Sequence, residues 1–276
     1  MNGDFLTGMA ASSRARSAAA QAQSPERELR ARIADLPPTA ALRLSSFDLI
    51  AEVKLRSPAV GLLKQSAGED VGARVGTYAH AGAAAVSILT EPSRFDGSLA
   101  DLAAGARALA PLRVPAMRKD FLVDPYQVIE ARLAGAGGIL VIARMLDRSE
   151  LEALVAAAVQ LQLFVLVETF DERDIEAAAQ LQASATARDA RLLIGVNSRD
   201  LVTLKVVPGR LEELVTLLPT HLPRVAESGV GSPEDAARLA ACGYELALIG
   251  SALMTSDNPQ GLLSSMISAG RGARAR

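Results

Sequence analysis

The sequence contains one cysteine, Cys242, two histidines and no tryptophan among 276 residues. A single cysteine excludes an intramolecular disulfide and a cysteine-based metal cluster. No apolar run approaches the roughly 20 residues that a membrane-spanning helix needs, and the N-terminus lacks the apolar stretch of a secretory signal. A net charge of −2 gives no electrostatic case for nucleic-acid binding. We therefore expect a cytoplasmic protein with no membrane or nucleic-acid partner.

Lysine is also scarce. Only four of the 29 basic residues are lysine, namely Lys54, Lys64, Lys119 and Lys205, so 29 − 4 = 25 are arginine. Lysine carries an amine that can lose its proton at accessible pH, whereas guanidinium cannot. Lys54 and Lys119 each close an apolar run that is typical of a β-strand. A titratable amine used twice at a strand end is a candidate catalytic feature, and chance placement is the alternative.

Residues 1–45 differ from the rest in composition, being rich in alanine, arginine, serine and glutamine. The run Ser24-Pro25-Glu26 is typical of a helix start, and Pro37-Pro38 ends that helix. We predict a helical extension over 1–45 and a catalytic domain over 46–276. A plain linker is the alternative for the first segment.

From residue 48 onward, apolar runs alternate with amphipathic stretches. The runs predict strands near 48–54, 84–89, 114–119, 138–142, 164–168, 192–197, 224–228 and 246–250. Helices are predicted near 70–81, 98–110, 124–134, 147–160, 171–182, 209–218 and 232–241, and from about 258. The strands are continuously apolar, which indicates a parallel sheet covered on both faces. Eight such units favour an α/β fold of the (β/α)8 TIM-barrel type, with a doubly wound open sheet as the alternative.

Helix boundaries carry their own signals. Asp147 and Asp171 each precede an acidic residue by three positions, and Ser232-Pro233 combines a capping residue with an N1 proline. Gly82 and Gly243 follow predicted helices, where a left-handed residue is common. These signals support the predicted alternation of strands and helices.

Polar side chains gather at the predicted strand ends. Catalytic groups of a TIM barrel lie at the carboxyl ends of its strands. One charged residue there usually only marks where the chain meets solvent. Several together are plausible as a mutually paired cluster or as a site for a charged substrate, because burying them singly is costly. The residues are Glu52, Lys54, Lys119, Glu168, Asn197, Arg199 and Glu227.

The loops after the last two strands have the composition of a phosphate site. Gly229 and Gly250 allow close approach of the backbone to a ligand, and Ser228 and Ser251 add hydroxyl groups. Barrels often bind phosphate after strands seven and eight. The alternative is that these glycines only make tight turns.

The ordered set of motifs resembles one known family. The set comprises Ile50-Ala51-Glu52-Val53-Lys54, Arg56-Ser57-Pro58, Arg118-Lys119-Asp120-Phe121, Asp124-Pro125-Tyr126-Gln127, Glu168, Asn197, Arg199-Asp200-Leu201, Glu227-Ser228-Gly229 and Ile249-Gly250-Ser251. Together these motifs resemble indole-3-glycerol phosphate synthase of tryptophan biosynthesis, over roughly residues 48–257. Each motif alone is moderately specific, and the ordered set is highly specific.

The resemblance implies a lyase that converts 1-(o-carboxyphenylamino)-1-deoxyribulose 5-phosphate to indole-3-glycerol phosphate, carbon dioxide and water. It also implies that ring closure, decarboxylation and dehydration would proceed without cofactor or metal. The expected partner is this phosphorylated small molecule, and we expect a monomer or weak homodimer.

The resemblance also implies catalytic roles. Lys119 would be the general acid that protonates the ribulose carbonyl, with its proton held by Asp120 or by the glutamates. Glu168 would transfer protons and stabilise the cationic intermediate. Lys54 would meet the anionic groups of the substrate and take part in dehydration, and Glu52 would act in the later steps.

Glu227 and Asn197 complete the implied catalytic set, and the other implied roles concern binding. Glu227 and Asn197 would orient the ribulose hydroxyls. Contacts to the rest of the substrate are implied for Ser57, Phe121, Leu140 and Arg199. The phosphate contacts are implied for Ser228, Gly229, Gly250 and Ser251.

Two departures leave the substrate open. Ala59 lacks a hydroxyl that the family often has, and Leu55 replaces a commonly basic residue and is expected to face outward. A paralogue for a modified anthranilate is therefore one alternative. Phosphoribosylanthranilate isomerase, which uses a cysteine and an aspartate, is disfavoured because the first strand offers Glu52 and Lys54. A catalytically reduced scaffold protein is disfavoured because the expected charged residues are present.

Overall fold

Eight parallel strands close into a barrel. The structure, a computed structural model, describes residues 5–57, 61–62, 70–184, 187 and 189–275. The barrel strands are β1 (Asp48–Val53), β2 (Ala85–Leu89), β3 (Ala116–Lys119), β4 (Gly138–Ile142), β5 (Phe164–Thr169), β6 (Arg191–Asn197), β7 (Arg224–Glu227) and β8 (Leu246–Ile249). Each strand pairs with its sequence neighbours, and β8 closes the sheet against β1. The predicted (β/α)8 barrel is confirmed, with every strand within two residues of its predicted bounds.

Helices cover the outside of this barrel. They are α1 (Phe5–Gln23), α2 (Glu26–Ala34), α3 (Val71–His80), α4 (Pro92–Phe95), α5 (Leu99–Leu109), α6 (Pro125–Leu133), α7 (Arg148–Gln160), α8 (Glu172–Ala183), α9 (Arg210–Leu214), α10 (Pro233–Cys242), α11 (Ser251–Thr255) and α12 (Pro259–Arg274). The helix expected over 209–218 is split into α9 and a 3-10 turn, Val215–Leu217. The short helices α4 and α11 were not predicted. None of the helices in the described ranges combines the length and apolarity needed to span a membrane.

The predicted boundary signals act as expected. The Asp147 carboxylate accepts a hydrogen bond from the backbone N–H of Glu150 at 2.8 Å. Gly82 and Gly243 adopt φ angles of +100° and +114°, a region in which a side chain is disfavoured. Local sequence chemistry therefore ends each strand–helix unit where the periodicity predicts.

The N-terminal extension is helical, as predicted, and it is docked on the barrel. Leu6 and Met9 of α1 are buried against the apolar side chains of the barrel interior. The Tyr126 hydroxyl donates to the carbonyl of Ser24 at 2.8 Å, and the Gln127 amide donates to the Ser13 hydroxyl at 2.8 Å. Helix α1 therefore lies over α6, beside the carboxyl end of β3.

The lower part of the barrel interior is filled by apolar side chains. Phe164 is fully buried there with Ile50, Met117 and Leu246. Gly138 makes room for the Phe164 ring, since a Cβ at this position would lie 2.3 Å from Phe164 Cζ. The glutamates and lysines of the predicted site lie above this apolar layer, at the carboxyl ends of the strands.

Candidate active site

A cavity of about 440 Å³ opens at the carboxyl ends of the strands. Thirteen of the fourteen predicted site residues line it. These are Glu52, Lys54, Lys119, Phe121, Leu140, Glu168, Asn197, Arg199, Glu227, Ser228, Gly229, Gly250 and Ser251. The barrel topology thus brings together residues that lie up to about 200 positions apart in the sequence.

Lys119 lies among carboxylates in this cavity. Its Nζ is 3.6 Å from Glu168 Oε2 and 3.7 Å from Glu227 Oε2, and its side chain is 18% exposed. Burial on its own would lower the pKa of Lys119, but the Glu168, Glu227 and Glu52 carboxylates outweigh it and raise that pKa. The amine is therefore charged across the physiological range. Both contacts are longer than a normal hydrogen bond, which leaves the ammonium able to engage another acceptor.

Glu168 is oriented by the neighbouring strand. The Asn197 amide donates a hydrogen bond to Glu168 Oε1. The Asn197 Oδ1 atom in turn accepts from the backbone N–H of Arg199 at 2.9 Å, and the Arg199 guanidinium donates to the Leu204 carbonyl at 2.7 Å. This chain of hydrogen bonds holds the Glu168 carboxylate toward Lys119.

Glu227 has less support. Both of its carboxyl oxygens are buried without a hydrogen-bond partner in the described chain. Burial and the nearby Glu168 charge raise the pKa of Glu227 well above its ordinary value, against the lowering effect of Lys119. Gly195 of β6 accommodates the carboxyl group, since a Cβ there would lie 2.2 Å from Glu227 Oε1. Glu227 is therefore a carboxyl group of raised pKa held in an incompletely satisfied position.

Glu52 and Lys54 form a second pair, 2.8 Å apart between Oε1 and Nζ. Burial would raise the pKa of Glu52, but the charges of Lys54 and Lys119 dominate and lower it. Gly250 leaves space for this carboxylate, because a Cβ on Gly250 would lie 2.4 Å from Glu52 Oε1. Glu52 is consequently ionised and is tied to the loop that follows β8.

The predicted phosphate loops lie next to one another. Ser228 and Gly229 have left-handed φ angles of +66° and +71°, and the Ser198 hydroxyl donates to the Ser228 carbonyl at 3.0 Å. Gly250 precedes α11, which begins at Ser251. Since β7 and β8 are paired, hydroxyls and backbone of both loops face the same end of the cavity.

The opposite wall is apolar, and sequence reasoning missed most of it. The Phe121 ring packs edge-on against Phe5 at 5.8 Å and lies 6.1 Å from the Phe95 ring. Leu6 of α1 and Phe170 also line the cavity. No motif marked Leu6, because its contact depends on where the extension docks.

Asp120 turns away from Lys119, although it was one of the two predicted sources of support for that lysine. Its carboxylate accepts from Arg16 at 2.8 and 3.1 Å, from Thr90 at 2.7 Å and from Arg118 at 3.2 Å. Burial would raise the pKa of Asp120, but Arg118 and Arg16 lower it to about 2. The glutamates, the other predicted source, are the acidic partners of Lys119.

The segment after β1 contains Ser57, the remaining one of the fourteen predicted site residues. Ser57 belongs to a short antiparallel hairpin of Arg56–Ser57 with Gly61–Leu62. Ala59 and Lys64 lie outside the described residues. Leu55 is not part of the cavity, but it is only 8% exposed and borders a small crevice with Val71.

Comparison with known proteins agrees with this architecture. A family profile described as indole-3-glycerol phosphate synthase matches residues 9–266. A Nocardioides protein named indole-3-glycerol phosphate synthase is 41% identical over 243 residues, covering 87% of this chain and 88% of its own length. A Mycolicibacterium vanbaalenii protein of the same name is 38% identical over 266 residues, covering 96% and 93%. The crystal structure of a 3-hexulose-6-phosphate synthase shares the fold, with a TM-score of 0.61, 18% identity and coverage of 81% and 99%.

Proposed function

The chain belongs to the indole-3-glycerol phosphate synthase family, and we propose that the cavity at the carboxyl ends of its strands is the active site. The enzyme is a decarboxylating lyase of tryptophan biosynthesis. It converts 1-(o-carboxyphenylamino)-1-deoxyribulose 5-phosphate to indole-3-glycerol phosphate, carbon dioxide and water. The observation that carries the site assignment is the Lys119 ammonium held between two buried glutamates inside this cavity.

The cavity has two chemically different ends, which orients the substrate. The phosphate binds at the loops after β7 and β8, through Ser228, Gly229, Gly250 and Ser251. The anthranilate ring packs against Phe121 and Leu140 at the ends of β3 and β4. The ribulose chain then spans the charged centre, where Glu227 and Asn197 meet its hydroxyls. Arg199 lies beside them, and Ser57 belongs to the hairpin nearest the substrate carboxylate.

Ring closure requires a proton at the ribulose carbonyl oxygen as the aromatic carbon attacks the carbonyl carbon. Lys119 is the general acid for this step. Its raised pKa keeps the proton on the amine until the attack places negative charge on the carbonyl oxygen, and the long contacts to Glu168 and Glu227 allow the ammonium to reach that oxygen. A positioned acid of this kind contributes typically 10²–10⁴-fold in rate.

The later steps need negative charge near the cationic intermediate and a route for water to leave. Glu168 is oriented by the Asn197 amide and stabilises the intermediate. Loss of carbon dioxide breaks the bond to the former carboxyl carbon and restores the neutral enamine. The hydroxyl formed from the ribulose carbonyl then takes up a proton and leaves as water, and the neighbouring ring carbon loses its proton as the indole double bond forms. Lys54 and its partner Glu52 assist these two proton transfers.

Three further features of the protein remain predictions from the sequence. They are a boundary between extension and catalytic domain near residue 45, a cytoplasmic location and a monomeric or weakly dimeric state. Light scattering over a range of protein concentrations measures the last of these, and we expect a mass near 28.8 kDa at low concentration.

Product fluorescence tests the function directly. The chain contains no tryptophan, so an indole product stands above a weak tyrosine background. Purified protein incubated with the substrate should show a time-dependent rise in indole emission. No rise under conditions in which an established family member is active would contradict the assignment. A rise only with a ring-substituted substrate would favour a specialised paralogue.

A further inference from the structure

A second, larger cavity lies at the opposite end of the barrel from the catalytic site. It encloses about 610 Å³ between the linker that follows α2, the carboxyl-terminal turns of α5 and α6, and the start of β3. Pro37 and Pro38 form one wall, and alanines form much of the rest. Cavities of 300–1,000 Å³ with rigid, largely apolar walls are the size of small-molecule sites. We call this cavity the arginine groove, after the residues described next.

Four arginines line the arginine groove, and no acidic residue does. They are Arg43, Arg107, Arg113 and Arg132. Four guanidinium groups without a carboxylate give the groove a formal charge of +4, in a chain whose net charge is −2. None of the four makes an ion pair within the part of the chain that the structure describes, unlike Arg118, Arg144 and Arg224 elsewhere in the fold. The groove is thus a concentrated positive patch with no carboxylate in its lining.

Arg132 is the most informative of the four because it is 93% buried, with 7% of its surface exposed. Its Nη2 atom donates to the Pro37 carbonyl at 2.6 Å and to the Leu36 carbonyl at 3.5 Å. Burying a guanidinium without an anion is costly, and burial lowers the pKa of Arg132 with no acid to offset it. The two carbonyl oxygens accept hydrogen bonds from the Arg132 guanidinium but do not neutralise its charge. An anion bound in the groove would do so.

Helix ends account for the positions of only two of the four arginines in the groove. Arg107 and Arg132 lie in the last turns of α5 and α6, where cations are favoured by the helix dipole. Arg43 and Arg113 are outside α-helices. Arg113 adopts a left-handed φ of +57°, which is uncommon for a residue other than glycine.

We propose that the arginine groove binds a small organic anion that carries carboxylate or phosphate groups. Guanidinium recognises both oxyanions through paired, charge-assisted hydrogen bonds, and the proline and alanine walls accommodate the carbon skeleton. The volume of about 610 Å³ is that of a small-molecule site, so we favour a small molecule over a polypeptide segment. The site is separate from the catalytic cavity and does not depend on the function proposed above.

Calorimetric titration of the full chain with citrate, and separately with inorganic phosphate, tests the proposal. Three proteins are compared: wild type, R107Q/R113Q, and the control R27Q/R173Q, which removes the same charge at exposed positions outside the groove. Phosphate is also expected to bind in the catalytic cavity. The binding event that reports on the arginine groove is therefore the one that wild type shows and R107Q/R113Q lacks. We expect wild type and control to bind alike and R107Q/R113Q to bind at least about tenfold more weakly.

The two anions distinguish carboxylate from phosphate recognition, and either one binding in this pattern supports the proposal. Equal titration of all three proteins, or no binding of either anion to wild type, overturns it. Binding of polyglutamate alone, lost in R107Q/R113Q, overturns it in favour of an acidic protein partner. The turnover of R107Q/R113Q should equal that of wild type, which reports its folding. If that variant does not fold, Arg43→Gln takes its place in the same titrations.

Discussion

Lys119 and Asp120 are neighbours in sequence, but their surroundings differ in kind. Asp120 accepts hydrogen bonds from Arg16, Arg118 and Thr90 at 2.7–3.2 Å. Lys119 has only contacts of 3.6 and 3.7 Å, and one of its partners, Glu227, has no hydrogen bond to either oxygen in the described chain. Both oxygens of the Asp120 carboxylate therefore have hydrogen-bond donors without a ligand, whereas neither oxygen of Glu227 has one within the described residues.

This difference separates stability from catalysis. A buried carboxylate whose oxygens all accept hydrogen bonds makes the fold around it rigid. A buried polar group without hydrogen-bond partners carries a free-energy cost. The Asp120 network joins the extension to the barrel through Arg16, so it stabilises the position of α1 against the site. In the cluster of Lys119, Glu168 and Glu227, some donors and acceptors have no hydrogen-bond partner in the described part of the protein. We expect the substrate to provide those partners.

Asp120→Asn should produce the largest loss of stability among the tests of this comparison. Removing the charge leaves Arg118, which is 2% exposed, with a weakened set of partners. Breaking a buried ion pair typically costs about 3–5 kcal/mol, and we expect a loss of about 3 kcal/mol in the free energy of unfolding, measured in urea. The control Glu152→Gln removes an exposed ion pair with Arg148 and should change stability by less than about 1 kcal/mol. Equal losses of stability in Asp120→Asn and Glu152→Gln would contradict the structural role of the Asp120 network.

Acid should weaken the same network. The pKa of Asp120 falls from an ordinary value of 3.8 to about 2 in the fold. A lowered pKa contributes stability that is present above pH 4 and is lost as the pH falls toward 2, here about 2 kcal/mol. Unfolding measured at several pH values should show wild type losing about 2 kcal/mol more than Asp120→Asn over this window. If the free energy of unfolding fell equally with pH in both proteins, the Asp120 carboxylate would not be the source of the acid sensitivity.

Glu227→Gln should have the smallest effect on stability. Because the pKa of Glu227 is raised in the fold, its ionised form is destabilising at neutral pH, and removing the charge costs little. We expect the free energy of unfolding to stay within about 1 kcal/mol of wild type, while turnover falls. A loss as large as that of Asp120→Asn would show that the Lys119 cluster is structural.

Much of the fold was predictable from local patterns. Continuous apolar runs and helix caps depend only on nearby residues, so the eight strands and signals such as Asp147 appear in the sequence. The convergence of Lys119, Glu168 and Glu227 follows from barrel geometry and was also predictable.

Other features depend on packing between distant segments. The role of Gly195 in accommodating Glu227 depends on the contact of adjacent strands, and Leu6 reaches the cavity only because α1 docks beside β3. The same holds for Asp120, which accepts hydrogen bonds from Thr90 and from Arg16 on α1, 30 and 104 residues away. The arginine groove likewise forms only when the linker packs against α5 and α6.

Turnover of Lys119→Ala compared with Lys205→Ala tests the central claim most directly, namely that the incompletely satisfied cluster performs the chemistry. Both variants remove one lysine, but Lys205 lies in the exposed turn after Arg199, away from the glutamates. Indole formation should fall by about 10² or more in Lys119→Ala, with Lys119→Arg little better because guanidinium does not release its proton. Lys205→Ala should retain wild-type turnover. Equal turnover of Lys119→Ala and Lys205→Ala would contradict the account.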